Sequence, residues 1–324
     1  MDDMTPRQLG FSSFAALAAP MTVLCAGLPW PAALLGLAVG GVGFQVLCSA
    51  AGHGVRMAAP LRGAYLLWCL LLLGRAMDMS SLCYPSQTDY VPVVLLALAI
   101  TAAYAGAGTC GRLGAVLWPA LIVLLGGLLA FALSDLRWAR VAGSRAGTDE
   151  WITAAAMGLS LSAVWVLVRG RAEGCSVRWG YWMAAALGLA TSAVAGGMLG
   201  RLQGAVARPL YDMARGITVF GVPQRLEALL SAALCMGFFL TLSLLCTCAS
   251  TLVKPWMKGR QSWAGLCVGV AALALWKPAS ELPDELWLVL ALGLGILAPA
   301  IGAFPSVGKK RKKAKKALDN RHEA

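Results

Sequence analysis

Charged residues are scarce in this chain. Asp, Glu, Lys and Arg make up 13% of the 324 residues, against about 25% in soluble domains. Hydrophobic residues reach 59%, and the mean hydropathy is +0.72. This composition excludes an ordinary soluble domain and indicates an all-α protein that crosses a membrane many times.

Residues that carry enzyme chemistry are also few. The chain has two histidines, His53 and His322, and none of its ten cysteines forms a Cys-x-x-Cys pair, so we expect no metal site. The cysteines mostly lie in apolar runs, where they act as small apolar residues rather than as a disulfide framework. Serine-hydrolase, zinc-protease and phosphate-loop motifs are absent. We therefore expect neither an enzyme nor a cofactor.

The apolar runs define the architecture. They can be drawn as about ten spans of roughly 20 residues each. The spans run over Gly10–Leu28, Pro31–Ala51, Leu61–Leu82, Tyr90–Ala107, Leu113–Leu133, Trp151–Val168, Trp179–Gly200, Leu226–Val253, Trp263–Trp276 and Leu286–Phe304.

The loop from Asp135 to Glu150 is the longest break in the middle of the chain and divides it into five spans and five spans. An odd number of spans per half gives the halves opposite orientations, which is the arrangement of an inverted repeat. We therefore predict one transmembrane transporter-like domain over residues 1–308, with repeats over about 8–134 and 150–304.

The remaining residues, 309–324, form a basic tail that carries eight of the 27 basic residues. Directly after a membrane helix, such a run indicates attraction to anionic lipid headgroups at the cytoplasmic face, rather than nucleic-acid binding. The distribution of Lys and Arg predicts that both termini are cytoplasmic, and the tail decides this orientation.

A polar, amphipathic segment between Arg208 and Leu230 stands out from the apolar spans. Leu210, Met213 and Ile217 recur at helical spacing, while Arg208, Asp212 and Arg215 fall on the opposite face, where they can pair. The segment is too short and too charged to cross a bilayer. We predict a helix that lies on the outer surface or over a cavity.

The segment resembles the spore-germination permeases, which are the membrane-spanning B subunits of nutrient germinant receptors in the amino acid–polyamine–organocation transporter superfamily. That family carries an aromatic-acidic-x-Ala-Arg-x-Ile stretch followed by Arg-x-Glu-Ala at the start of a helix. The matching residues here are Tyr211, Asp212, Ala214, Arg215, Ile217, Arg225, Glu227 and Ala228.

The resemblance implies a protein of the inner membrane of a spore or its mother cell, in complex with germinant receptor A and C subunits. It would bind a small nutrient, expected to be an amino acid, between the first, third, sixth and eighth spans. Tyr211, Asp212, Arg215, Arg225 and Glu227 are then gate residues or family markers.

The first and sixth spans carry the candidate ligand-binding residues that the resemblance implies. The first contains Pro20, Thr22 and Gly27, and Pro20 indicates either a broken helix with free backbone groups or a tolerated kink. The sixth contains Gly158, Ser160 and Ser162, which are also compatible with ordinary small-residue packing. The resemblance favours breaks in both helices.

Two further features are candidates, one for a cation-binding site and one for an ion pair. In the eighth span, Thr241 and Ser243 align with hydroxyls that complete a cation site in related transporters, although such hydroxyls can also bond to their own helix. In the third span, Arg75 and Asp78 are three residues apart and can pair on one helix face.

Two departures from the family pattern leave other functions open. No acidic residue lies between Trp151 and Val168, and no lysine lies near Thr241. One alternative is an amino-acid permease of the growing cell. Another is a scaffold subunit whose pocket has degenerated.

Overall fold

The computed structural model describes residues 4–52, 59–84, 90–160, 174–219, 222–223, 226–257 and 263–301. Within these ranges the chain is almost wholly helical, with one short antiparallel pairing of Thr218–Val219 and Val222–Pro223. The helices are α1 (Pro6–Ala26), α2 (Trp30–Gly52), α3 (Ala59–Ser80), α4 (Tyr90–Ala105), α5 (Ala107–Ala132), α6 (Trp138–Ala142), α7 (Thr148–Leu159), α8 (Gly174–Leu199), α9 (Pro209–Gly216), α10 (Glu227–Val253), α11 (Ala264–Ser280) and α12 (Asp284–Leu290).

Seven of the described helices are long and apolar enough to cross a membrane, judged by length and composition. They are α1, α2, α3, α5, α8, α10 and α12, the last extended by a π-helical stretch, Ala291–Leu297. Two shorter apolar helices, α4 and α11, occupy the predicted fourth and ninth spans. The sixth span begins as α7, and its remainder lies outside the described residues. The all-α polytopic architecture is therefore confirmed.

The first helix is continuous, which corrects the expected break at Pro20. Thr5 caps its N-terminus in a capping box with Gln8, and the helix then runs from Pro6 to Ala26 with Pro20 inside it. Proline lacks the N–H that would bond to the carbonyl four residues earlier, so the Ala16 carbonyl loses its usual donor. The Thr241 hydroxyl donates to that carbonyl at 2.6 Å. A neighbouring helix thus satisfies the freed group, as membrane helices often require.

Helix packing follows the five-plus-five division. With α1–α5 as the first five spans and α7, α8, α10, α11 and α12 as the second five, α1 packs on α8 and its counterpart α7 packs on α2. In the same way, α3 packs on α11 and α10 packs on α4, while α1 packs on α5 and α7 on α12. Each pair recurs when the two halves are exchanged, as an inverted repeat requires. The residue bounds of the repeats stay a prediction.

Glycines allow the closest of these contacts. A Cβ at Gly158 of α7 would lie 1.9 Å from the Gly36 carbonyl oxygen of α2, and one at Gly40 would lie 2.1 Å from the Gly158 carbonyl oxygen. Larger residues would push the two backbones apart. Such close packing of small residues is a common way for membrane helices to associate.

Candidate functional site

A cavity lies where α1, α3, α7, α10 and α12 meet. Its room for water-sized molecules is about 80 Å³, so it is a small cavity compared with the roughly 300–1,000 Å³ of many small-molecule sites. Four of these helices are the first, third, sixth and eighth spans that we expected around a ligand, and the tenth span was not anticipated. The lining is mostly apolar and consists of Ala16, Leu17, Pro20, Leu24, Leu72, Arg75, Ala76, Met79, Thr153, Ala156, Met157, Ser160, Thr241, Leu244, Leu245, Cys248, Asp284 and Trp287.

A polar network crosses this apolar lining. Arg75 Nη2 lies 3.0 Å from Asp284 Oδ1, and the Thr153 hydroxyl donates to Asp284 Oδ2 at 2.6 Å. The Arg75 guanidinium carbon lies 5.2 Å from the centre of the Trp287 ring, within cation–π range. The Trp287 indole N–H donates to the Ser160 hydroxyl oxygen at 2.7 Å. The network therefore joins α3, α7 and α12 around one ion pair.

Asp78, the possible partner of Arg75 on its own helix, is not part of the salt bridge that the structure shows. Arg75 forms its salt bridge with Asp284, whose carboxylate reaches the cavity from the first turn of α12. The two side chains are 24% and 34% exposed, so they are partly withdrawn from water. Helical spacing shows neighbours on one helix, whereas this partner comes from a helix about two hundred residues away.

Sequence reasoning missed Thr153, Asp284 and Trp287. A signal was present for Asp284, because it precedes the tenth span on the same predicted outer side as Arg75. A charge at the start of a membrane helix is easily taken for an interfacial residue, so its position alone did not single it out.

The predicted contact between the first and eighth spans is present in the cavity wall. Pro20 and Thr241 both line the cavity, and the Thr241 hydroxyl lies 2.6 Å from the Ala16 carbonyl oxygen and 2.9 Å from that of Gly237. A hydroxyl and backbone carbonyls are oxygen ligands of the kind that hard cations prefer. The arrangement keeps Thr241 as a candidate and shows how Pro20 contributes to it.

Two other candidates lie apart from the described cavity lining. The Ser243 hydroxyl donates to the Phe239 carbonyl at 2.7 Å, and the Thr22 hydroxyl donates to the Ala18 carbonyl at 2.5 Å. Both therefore bond to the preceding turn of their own helix. Ser243 points to a different side of α10 from Thr241, because residues two apart on a helix do not share a face.

The candidates in the sixth span divide in the same way. Ser160 lines the cavity and belongs to the polar network. Gly158 is instead pressed against α2 at Gly36, so its role is packing rather than ligand binding. Ser162 lies outside the described residues.

A second hollow adjoins the cavity beneath α9. It has about 240 Å³ of room for water-sized molecules and is lined in part by Gly27 and Tyr211. Leu24 and Met79 line both spaces, so the hollow borders the cavity directly. We call this second space the vestibule. Gly27 thus belongs to the vestibule rather than to the cavity.

The amphipathic helix α9 covers the vestibule. Its buried residues are Leu210, Tyr211, Met213 and Ala214. The Tyr211 hydroxyl donates to the Cys83 carbonyl at 2.5 Å and lies 2.7 Å from the Ser231 hydroxyl. Burial raises the pKa of Tyr211 to about 12. This tyrosine therefore fastens α9 to the ends of α3 and α10.

The charged face of α9 does not pair internally as expected. Arg215 forms a salt bridge with Glu227, which begins α10, rather than with Asp212. Arg208 donates to the Tyr84 carbonyl at 2.6 Å. Arg225 lies outside the described residues. The two ends of α9 are therefore attached to neighbouring segments.

Comparison with known proteins agrees with this architecture. No model of a known protein family matches the chain, and no curated protein matches it. Its fold is similar to that of a Na⁺-coupled sialic acid symporter solved in a substrate-bound, outward-open state, with 14% sequence identity and a TM-score of 0.59 over 92% of this chain and 78% of the symporter.

At this level of identity the likeness concerns the fold. The chain has the fold of a polytopic membrane transporter, as the division into five and five spans predicted. Membership of the spore-germination permeases stays a prediction, which rests on the residues of α9 and the start of α10.

Proposed function

We propose that this protein binds a small solute from the predicted outer side of a membrane, in the cavity between α1, α3, α7, α10 and α12. The observation that carries the proposal is the cavity itself, an apolar space with a few convergent polar groups where several helices meet. That combination is typical of small-molecule sites. The transporter fold supports the same function.

In the more specific form of the proposal, the protein is the membrane subunit of a spore nutrient germinant receptor. It lies in the spore inner membrane with cytoplasmic termini and a tail near anionic lipid, and it works with A and C subunits. The nutrient is an amino acid that passes beneath α9 into the vestibule and then the cavity. The family markers on α9 and the position of α9 over the vestibule support this form.

Binding triggers a response only if the ligand prefers one conformation over another. The vestibule supplies a place where such a preference can arise, because it borders both α9 and the cavity through Leu24 and Met79. A ligand that draws α9 closer would stabilise a closed state. Germination would then report the population of that state.

A second candidate function is an amino-acid permease of the growing cell. The Pro20, Ala16 and Thr241 arrangement favours it, because a carbonyl and a hydroxyl that face each other across two helices offer oxygen ligands to a coupling ion. Transport would distinguish this function from sensing.

Thermal midpoints of the purified protein across a panel of amino acids, nucleosides and sugars test whether any solute binds, since a ligand of the folded state raises the midpoint. Flux of the stabilising solute into proteoliposomes under Na⁺ and H⁺ gradients separates a permease from a sensor. A sensor shows a midpoint shift without flux. Absence of a shift with every solute would refute binding by this subunit alone and favour a scaffold.

A further inference from the structure

The charges of the cavity are balanced. Among the cavity-lining residues that the structure describes, Arg75 and Asp284 carry formal charge, and they are paired with each other. The space beside them is bounded mainly by apolar side chains such as Leu17, Leu72 and Met157. A ligand that fits this lining needs an apolar body and no net charge.

Neutral neighbours also hold the two members of the ion pair. Thr153 fixes one oxygen of Asp284, and the Trp287 ring lies against the Arg75 guanidinium. Ser160 in turn fixes the Trp287 indole through its N–H. Each charged group is therefore oriented by a neutral neighbour as well as by its ionic partner, so it keeps its place if that partner is replaced.

We propose that the ligand is a small zwitterion with an apolar body, and that its two charged groups bind to the separated halves of this ion pair. Its carboxylate binds to the Arg75 guanidinium, and its ammonium group binds to the Asp284 carboxylate beside Thr153. This inference rests on the proposed function, which already names an amino acid, and adds the residues that recognise its two charged groups in the same cavity.

The electrostatics of a mostly apolar cavity favour a zwitterion over other solutes. A simple anion that takes Arg75 leaves Asp284 without its counter-charge. A simple cation that takes Asp284 leaves Arg75 with only Asp78, which lies outside the described cavity lining, as a nearby acid. An unpaired charge that is partly withdrawn from water is costly. A neutral sugar or nucleoside must either leave the pair closed or separate it without replacing either charge. A zwitterion replaces both contacts at once.

Binding to the purified full-length chain tests the inference with L-leucine, L-valine and L-alanine as probes. N-acetyl-leucine lacks the ammonium group and leucine methyl ester lacks the carboxylate, so they serve as matched probes, with uridine and glucose as neutral solutes. We expect at least one of the amino acids to bind and each blocked leucine to bind at least about tenfold more weakly than leucine, since a charge-assisted hydrogen bond contributes that much or more.

Substitutions test the roles of Arg75 and Asp284 in binding separately. Arg75→Gln and Asp284→Asn should each weaken amino-acid binding at least about tenfold. Arg137→Gln and Glu285→Gln, which alter exposed charges outside the described cavity lining, should leave it unchanged. The double variant Arg75→Gln/Asp284→Asn removes both charges together, so it should recover thermal stability lost in the single variants but not recover binding. A purely structural ion pair would recover both.

The outcomes separate this inference from the function on which it rests. If no solute binds to the wild-type protein, the proposed function fails. If a neutral solute or a blocked leucine binds as tightly as the amino acids, or if Arg75→Gln binds as wild type does, solute binding stands and the zwitterion inference is overturned.

Discussion

Two ion pairs of this protein make an instructive comparison. Arg75–Asp284 joins α3 to α12 inside the cavity, and Arg215–Glu227 joins α9 to α10 near the surface. In both, the arginine has an acidic residue three positions away on its own helix, Asp78 or Asp212, and in both its salt bridge is with a distant acid instead. The difference between the pairs lies in their surroundings.

The two pairs differ in their arginines, because Arg75 is 24% exposed and lies against the Trp287 ring whereas Arg215 is 55% exposed. The acids have the opposite order, with Asp284 34% and Glu227 24% exposed. A charge in a mostly apolar space depends on its partner, because water cannot replace that partner fully. A surface pair contributes little because water and salt screen it. The cavity pair is therefore suited to ligand recognition, and the surface pair to positioning a segment.

The largest expected effect comes from breaking the helix contact that supports the cavity pair. Gly158→Val on α7 places side-chain atoms where a Cβ alone would lie 1.9 Å from the Gly36 carbonyl oxygen. Since α7 and its C-terminal cap carry Thr153 and Ser160, we expect a loss of solute binding together with a destabilisation of about 3 kcal/mol, the upper end of the usual cost of overpacking. Thermal unfolding in detergent measures the stability. Gly126→Val on α5 is the matched control, because a Cβ there meets nothing within 4 Å. Wild-type stability and binding of Gly158→Val would contradict the packing role.

The next effect concerns the cavity pair itself. Arg75→Ala leaves the Asp284 carboxylate without its counter-charge and removes the guanidinium from the Trp287 ring. We expect the unliganded protein to lose about 1–3 kcal/mol of stability. The thermal midpoint of Arg75→Ala, compared with that of Arg75→Ala/Asp284→Ala, provides the check. Equal loss in both variants would show that the unpaired carboxylate is not the cause.

Loss of the Tyr211 hydroxyl should reduce stability less than loss of the cavity pair and more than loss of the surface pair. Tyr211→Phe removes the hydroxyl that donates to the Cys83 carbonyl and contacts Ser231, at a cost of about 1 kcal/mol. Exposed Tyr104→Phe is the control.

The pH dependence of the Tyr211 effect has a defined sign. Because the pKa of Tyr211 is raised from 10 to about 12 in the folded protein, its contribution to stability is complete below pH 10 and is lost as the pH rises towards 12. The advantage of the wild type over Tyr211→Phe should therefore shrink across that interval. A constant difference in thermal midpoint would argue against a buried, protonated hydroxyl.

The surface pair should show the smallest effect. Arg215→Ala and Glu227→Ala each remove one partner of a pair whose arginine is mostly exposed, so we expect changes within about 0.5 kcal/mol. A double-mutant cycle measures the coupling. A coupling as large as that of Arg75 and Asp284 would remove the distinction drawn between the two pairs.

The fold was largely predictable because hydrophobic runs and their division are local features of the sequence. The spans and the short helix over Pro209–Gly216 follow from composition and spacing. The sequence left open whether Pro20 breaks α1 or is tolerated within it, because the group that satisfies the freed Ala16 carbonyl, the Thr241 hydroxyl, is far away in sequence.

The candidate site was predictable only in part for the same reason. Pro20, Ser160 and Thr241 were singled out and do line the cavity, whereas Thr22, Ser243 and Gly158 bond or pack within the helical framework. Helical spacing assigns a residue to a face but does not show which other helix approaches that face. Asp284 and Trp287 enter the site through the packing of α12, which the sequence alone does not reveal.

The central claim is that a small solute occupies the cavity. It is tested most directly by comparing the ligand-induced rise in thermal midpoint of the wild type with that of a variant whose cavity is filled. Leu72 lines the cavity, and Leu67 on the same helix is 45% exposed. We predict that a stabilising amino acid raises the midpoint of wild type and Leu67→Trp equally and has no effect on folded Leu72→Trp. An equal rise in all three proteins, or no rise in any of them, would contradict the account.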